Sequence, residues 1–137
     1  MLYFLVYNSR MDKKLLQNKI EAHALAAWKN FVKLYPRLAA FSCPKIILCG
    51  RLTKTAGYNK SEQNIVKLSL KLMLHTPENY AKMVSIIIPH ELAHQVDYNL
   101  NGWFSGKKHH NREWQGIMVD YGLAPNVYHD LTLIKGY

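Results

Sequence analysis

The first element that the apolar pattern predicts is a long amphipathic helix over residues 12 to 34. Asp12 has a side chain suited to cap the first turn, and Pro36 lacks the N–H that would continue the helix. Apolar side chains recur between these two residues at every third or fourth position, as expected for one face of a helix. They are Leu16, Ile20, Ala24, Ala27, Phe31 and Leu34.

The pattern then changes from helical to alternating over residues 43 to 74. "PKIILCG" is a short apolar run closed by Gly50, and "NIVKLSLKLML" places apolar side chains at every second position from Val66 to Leu72. The intervening "AGYNKSEQ" has the composition of a turn. This region therefore predicts two or three strands of an antiparallel sheet.

Two further helices are predicted, over residues 76 to 102 and 112 to 122. Thr76 is suited to cap the first, and Pro77 fits its first position. Pro89 is unusual inside a helix, so this helix either bends just before residue 90 or begins again there. In the last helix, "REWQGIMVDYG", the apolar face is formed by Trp114, Ile117, Met118 and Tyr121.

Composition and length favour one globular domain over residues 1 to 137. The 137 residues are 49% hydrophobic and 20% charged, which argues against a disordered chain. The opening "MLYFLVYN" is shorter than the 18 or so residues that a membrane span needs, and we expect a buried strand or the start of a helix. Cys43 and Cys49 flank an extended segment too long for a mutual disulfide. Reduced cysteines predict a cytoplasmic protein.

The net charge of +9 is concentrated in residues 29 to 71. That segment has nine basic residues and one acid, Glu62, which gives +8. Such a segment attracts polyanions, and DNA is the partner that we expect. The alternative is that these are ordinary solubilising lysines.

The pattern H-E-x-x-H occurs within "IIIPHELAHQVDY", residues 86 to 98. His90 and His94 are four residues apart, so one helix face carries both imidazoles within reach of one tetrahedral zinc ion. Glu91 lies about 100 degrees round the helix from His90, where its carboxylate can serve as general base toward water on the metal. The alternative is a pair of helix histidines that only pack or form hydrogen bonds.

A catalytic zinc site of this kind needs a third protein ligand. The short metzincin spacing fails, because the sixth position after the second histidine is Leu100. The downstream candidates are His109, His110, Glu113 and His129.

These motifs resemble the SprT-like, or Spartan-type, zinc metalloproteases. The chain has "IPHELAH" followed by "HNREW", residues 110 to 114, and its "RLTKTAGYNKSEQNIVKLSLKLM" and "YGLAP" are similar to that family's strand pair and "LGVP". The resemblance implies a compact α+β zincin-like fold with a long N-terminal helix, a small antiparallel-containing sheet, the metal helix and a short last helix. It also implies one zinc ion on His90, His94 and His110, with Glu91 as base.

The chain departs from the family pattern in three places. Asn111 replaces the usual glycine, which is a mild change because Asn tolerates left-handed backbone better than most residues do. Ser69 replaces an asparagine. No Cys-rich zinc ribbon follows, so we expect the DNA or partner contacts that such a module gives larger relatives to be either absent or supplied by the basic segment.

Other residues near the motifs have secondary roles in this interpretation. Trp114 is predicted to pack under the site, Glu113 to cap its helix or orient a ligand, and His109 to lie at the cleft rim. Asp97 and Tyr98 either orient a ligand or stabilise an oxyanion, or else belong to a solvated helix face. The remaining histidines are expected to take no part: His23, His75 and His129.

The leading functional prediction is a zinc-dependent endopeptidase that acts on protein substrates, including proteins held on DNA, in the cytoplasm or on the nucleoid. The competing prediction is a catalytically silent zincin-fold module that binds nucleic acid or a protein through its basic face. A metal hydrolase that attacks bonds other than peptide bonds is a third hypothesis, since the same water-activating groups serve any carbonyl.

Overall fold

A computed structural model describes residues 10–102, 110–125 and 131–132. The predictions for residues 1 to 8, for His109 and for His129 lie outside these residues. The helices, in chain order, are α1 (Arg10–Leu34), α2 (Leu70–His75), α3 (Pro77–Lys82), α4 (Ile88–Asn101) and α5 (Arg112–Tyr121). The strands are β1 (Lys45–Cys49), β2 (Gly57–Lys60) and β3 (Ile65–Ser69). Short 3-10 helices span Pro36–Ala40 and Ser61–Gln63.

The three strands form a mixed sheet, which corrects the antiparallel prediction for one of its two pairs. The strand order is β1-β3-β2, with β2 antiparallel and β1 parallel to the central strand. A tight connection that ends at left-handed Asn64 (φ 55°) reverses the chain between β2 and β3. β1 comes earlier in the chain and pairs with the free edge of β3, so the fold is α+β with a small mixed sheet.

Two boundaries in this region differ from the prediction. "GYNK" is an edge strand and not a turn; Gly57 is needed there because a Cβ would lie 2.7 Å from the Lys67 carbonyl oxygen. The alternating run after residue 64 changes to helix at residue 70. The reason is Ser69, whose Oγ accepts a hydrogen bond from the Leu72 N–H at 3.0 Å and caps α2.

The long first helix is confirmed, and its apolar stripe forms much of the core. Its buried members are Leu16, Ile20, Ala24, Ala27 and Phe31. Leu34, the last residue of the predicted stripe, does not belong to the core, because its side chain is 43% exposed at the end of the helix. The core also takes in the inner face of the sheet and one side of α4.

The structure explains the proline before the H-E-x-x-H motif. Residues Met83–Ile87 form a π turn, and α4 begins again at Ile88. The Ile88 N–H bonds to the Met83 carbonyl, five residues back. A π turn widens the helix just where Pro89 cannot donate its own hydrogen bond, so the proline fits at the start of the new helix. No helix among the described residues is long and apolar enough to cross a membrane.

Candidate metal centre

His90 and His94 project from the same side of α4, as their spacing predicts. Their ring centroids are 5.1 Å apart. His90 is only 2% exposed, and His94 is half-buried. The regular helix that follows the π turn therefore places the first two members of the site on one face.

His110 comes to the same place from a different element. It lies just before α5 in a left-handed conformation, with φ 56°. Its Nε2 is 3.1 Å from Nε2 of His90, and its ring centroid is 4.9 Å from that of His94. The structure therefore brings together residues that are 20 and 16 positions apart in the chain.

The three histidines lie close enough together to hold one metal ion. One ligand atom from each lies within 4.8 Å of the other two. In a tetrahedral site with Zn–N bonds of about 2.0–2.1 Å, the nitrogens are separated by about 3.3 Å. The distance of 3.1 Å between Nε2 of His90 and Nε2 of His110 is close to that value, so His90, His94 and His110 are the side chains that could hold a metal ion. Within the described part of the chain, the metal-binding group consists of these three histidines.

Glu91 lies beside the cluster without joining it. Its side chain is buried, with 4% exposed, and its Oε2 is 3.9 Å from Nε2 of His90. This distance places the carboxylate next to the histidine cluster. A carboxylate is a side chain that can act as a general base.

Trp114 forms the floor of the site. The indole is fully buried and stacks on His94 at a centroid distance of 5.0 Å and an interplanar angle of 12°. The centroid of the Trp114 ring lies 4.7 Å from the centroid of His90 and 4.6 Å from that of His110, and both contacts are edge-on. The indole Nε1–H donates to the His90 carbonyl oxygen at 3.3 Å. One rigid ring therefore limits the movement of all three imidazoles.

Asn111 does not use the left-handed backbone that its side chain would tolerate. Asn111 is extended (φ −69°, ψ 179°), and the left-handed residue is His110. The physical reason is helix capping: the Asn111 Oδ1 accepts the Trp114 N–H at 2.8 Å, which requires an extended backbone at that position.

Comparison with known proteins agrees with these observations. The model of the SprT-like family matches residues 21–130. The chain belongs to this family. Protein SprT of Pasteurella multocida is 38% identical over 94 residues, which cover 68% of this chain and 53% of that protein. Protein SprT of Actinobacillus succinogenes is 33% identical over 84 residues, which cover 59% and 46%.

A third relative aligns along most of the chain. Protein SprT of Shewanella oneidensis is 29% identical over 129 residues, which cover 92% of this chain and 74% of that protein. The chain spans about half the length of the first two relatives. No solved structure gave a significant match.

In this SprT-like chain, the other histidines and acidic or aromatic residues considered for the site are either buried to some degree or exposed. Asp97 is buried, which excludes a solvated helix face for that residue, and Tyr98 is half-buried. Glu113 is exposed in the first turn of α5 and is not a member of the metal-binding group. His23 and His75 are exposed on α1 and α2.

A buried amide network that the sequence did not predict joins α4 to the edge strand β2. Gln95 is 1% exposed, and its Oε1 accepts the Asn59 Nδ2–H at 2.8 Å. Its Nε2 donates to the Ser61 carbonyl oxygen at 3.1 Å and to the Asn99 Oδ1 at 2.9 Å. The available signal was position, because Gln95 follows Glu91 by four residues and so shares its helix face.

Proposed function

We propose that this SprT-like protein is a zinc-dependent endopeptidase with a zincin-type active site. The observation that carries the proposal is the cluster of His90, His94 and His110 with the buried carboxylate of Glu91 beside it. A bound zinc ion supplies a Lewis acid that acidifies water and polarises a carbonyl group.

In this mechanism Glu91 acts first as a general base and then as a general acid. As general base it takes a proton from the attacking water, and it then gives that proton to the amine that leaves when the peptide bond breaks. Burial of the carboxylate and its fixed place next to His90 keep it directed at the site throughout. Trp114 holds the histidine rings in position and excludes water from beneath them.

We also propose that the substrates are proteins associated with DNA, in the cytoplasm or on the nucleoid, and that the basic segment contacts the DNA. The strand register shows which lysines of the basic segment lie on one face of the sheet. Ile65 pairs with Lys45 on one side and Lys60 on the other, and Lys67 is two residues along the central strand. Since side chains alternate between faces, all three lysines share the outer face of the sheet, opposite buried Val66.

The test of catalysis is Glu91→Gln, which keeps the size of the side chain and removes its basicity. Turnover of a protein substrate should fall by about 10²–10⁴-fold while zinc content and folding persist. Glu78→Gln, the same change on an exposed residue of α3, is the matched control. A Glu91→Gln protein that still cleaves at the wild-type rate would refute the assignment of Glu91 as the base. If the wild-type protein binds nucleic acid or a protein partner but cleaves no substrate, the silent binding module is favoured instead.

The test of the DNA contact is the salt dependence of binding. Lys45→Glu combined with Lys67→Glu should weaken binding to duplex DNA and flatten the plot of log affinity against log salt by about 1 for each phosphate that the protein no longer neutralises. Lys13→Glu with Lys14→Glu, on the exposed side of α1, is the control with equal charge change. Binding that is absent at low salt, or insensitive to salt, would remove DNA from the proposal.

A further inference from the structure

The third histidine presents a positioning problem that the first two do not have. His90 and His94 are fixed by one regular helix, whereas His110 is outside any helix and has a left-handed backbone. A non-glycine residue keeps such a conformation only where its surroundings impose it. The contacts of the next residue, Asn111, show what the surroundings supply.

The Asn111 side chain connects α5 to the metal helix through both ends of its amide. Its Oδ1 accepts the Trp114 N–H at 2.8 Å, which caps α5. Its Nδ2 donates to the Asp97 Oδ2 at 3.2 Å. Asp97 is 2% exposed and lies three residues after His94, about one turn along α4.

We propose that Asp97 and Asn111 form a positioning pair that holds His110 against the two histidines of α4. The pair ties the residue next to the third histidine directly to the helix that carries the other two. This inference rests on the proposed metal site, and it assigns to this chain a device that depends on the side chain of Asn111. Glycine has no side chain with which to cap α5 or to reach Asp97.

The two roles of Asn111 are separated by Asn111→Asp. Aspartate caps a helix as well as asparagine does, so the hydrogen bond from the Trp114 N–H is kept. The donation to Asp97 is removed, and two carboxylates face each other. We expect zinc affinity, measured by competition with a chromophoric chelator, to fall by about 10-fold, the lower end of the range for contacts that orient metal ligands.

Exchanging the two side chains should restore the contact. In the double variant Asp97→Asn/Asn111→Asp, the amide at position 97 donates to the carboxylate at position 111, and the cap is retained. Zinc affinity should return to within about 3-fold of wild type, since the 10-fold decrease is attributed to this contact alone. A role of Asn111 in capping alone predicts no loss of zinc affinity in either variant, because the cap is present in both.

Asn101→Ala is the matched control. Asn101 donates to the other oxygen of Asp97 at 2.8 Å but has no hydrogen bond to Asn111, so its removal should leave zinc affinity within about 2-fold of wild type.

The visible absorption of the cobalt-substituted proteins gives a second readout, because band position and intensity report coordination geometry. We expect Asn111→Asp to alter the cobalt spectrum and the double variant to return it to that of wild type.

The outcomes separate the inference from the proposed function. A wild-type protein that binds no zinc would overturn the metal site and the pair together. Normal zinc binding by Asn111→Asp, or no rescue in the double variant, would overturn the pair and leave the endopeptidase proposal intact. If Asn111→Asp does not fold without metal, Asn111→Gly removes both hydrogen bonds without adding charge; unchanged zinc affinity in that variant would also overturn the pair.

Discussion

Two regions build the candidate metal centre, and they are ordered by different forces. In α4, the separation of His90 and His94 follows from backbone hydrogen bonds within the helix. At the start of α5, His110 itself has a left-handed backbone, and the side chain of the next residue, Asn111, forms a hydrogen bond to Asp97 of α4. Local geometry is therefore enough for two-thirds of the site, whereas the last third depends on tertiary contacts.

Trp114 contacts all three histidines of the two regions, so its removal should have the largest effect. Trp114→Ala leaves a cavity beneath all three imidazoles, and we expect a loss of about 3–5 kcal/mol in the free energy of unfolding. Urea unfolding of the metal-free protein measures this loss. Trp114→Phe keeps an aromatic ring but not the hydrogen bond to the His90 carbonyl, and it should lose less. Equal stability of Trp114→Ala and wild type would show that the indole does not join the two regions.

The next test compares one histidine from each region. If both regions supply metal ligands, His94→Ala and His110→Ala should each lower zinc affinity by more than the roughly 10–100-fold that outer contacts contribute. Metal analysis after dialysis against a chelator gives the affinities. His75→Ala, an exposed histidine of α2, is the control. Full retention of zinc by His110→Ala alone would mean that the α4 pair binds metal with a different partner.

Gln95 allows the connection between α4 and the sheet to be tested apart from the histidines. Gln95→Met has nearly the same shape but leaves Asn59 Nδ2 without that acceptor and the Ser61 carbonyl oxygen without that donor. Buried groups deprived of partners cost about 1–3 kcal/mol, which should appear in urea unfolding. Zinc affinity should change less than in the histidine variants, because α4 itself remains helical. A larger effect on zinc than on stability would show that the sheet, and not the helix, sets the geometry of His90 and His94.

The same contrast explains how far the sequence could be interpreted. The long α1, the helix around H-E-x-x-H and the apolar face of α5 were predictable, because each depends on spacing within one segment. The parallel pairing of β1 with β3 and the end of the strand at Ser69 were not, because the first is a tertiary choice and the second depends on one capping hydroxyl. His110 was chosen by resemblance to a family motif, and no local rule placed the left-handed residue there rather than at Asn111.

The smallest effect is expected at the far end of α5, where Tyr35 contacts Asp120. The Tyr35 hydroxyl donates to the Asp120 Oδ2, and the rings of Phe31 and Tyr121 lie 4.5 Å apart beside it. Tyr35→Phe should cost about 0.5–1.5 kcal/mol of stability at pH 8, since one partly exposed hydrogen bond is removed. Zinc affinity should not change, because this end of α5 is remote in sequence from His110.

The Tyr35 contact also has a predictable dependence on pH. Partial burial, the hydrogen bond to Asp120 and the charge of Asp120 raise the pKa of Tyr35 above its ordinary value of 10.0. A raised pKa in the folded state means that the contribution is complete below pH 10 and is lost as the pH rises toward the folded value. The stability difference between wild type and Tyr35→Phe should therefore shrink from pH 8 to pH 10.5. Burial also raises the pKa of the Cys43 thiol, to about 11, but both proteins contain Cys43 and its effect cancels. A difference that stays constant with pH would show that the hydroxyl does not contact Asp120 in solution, and a loss of zinc affinity in Tyr35→Phe would show that both ends of α5 position the third histidine.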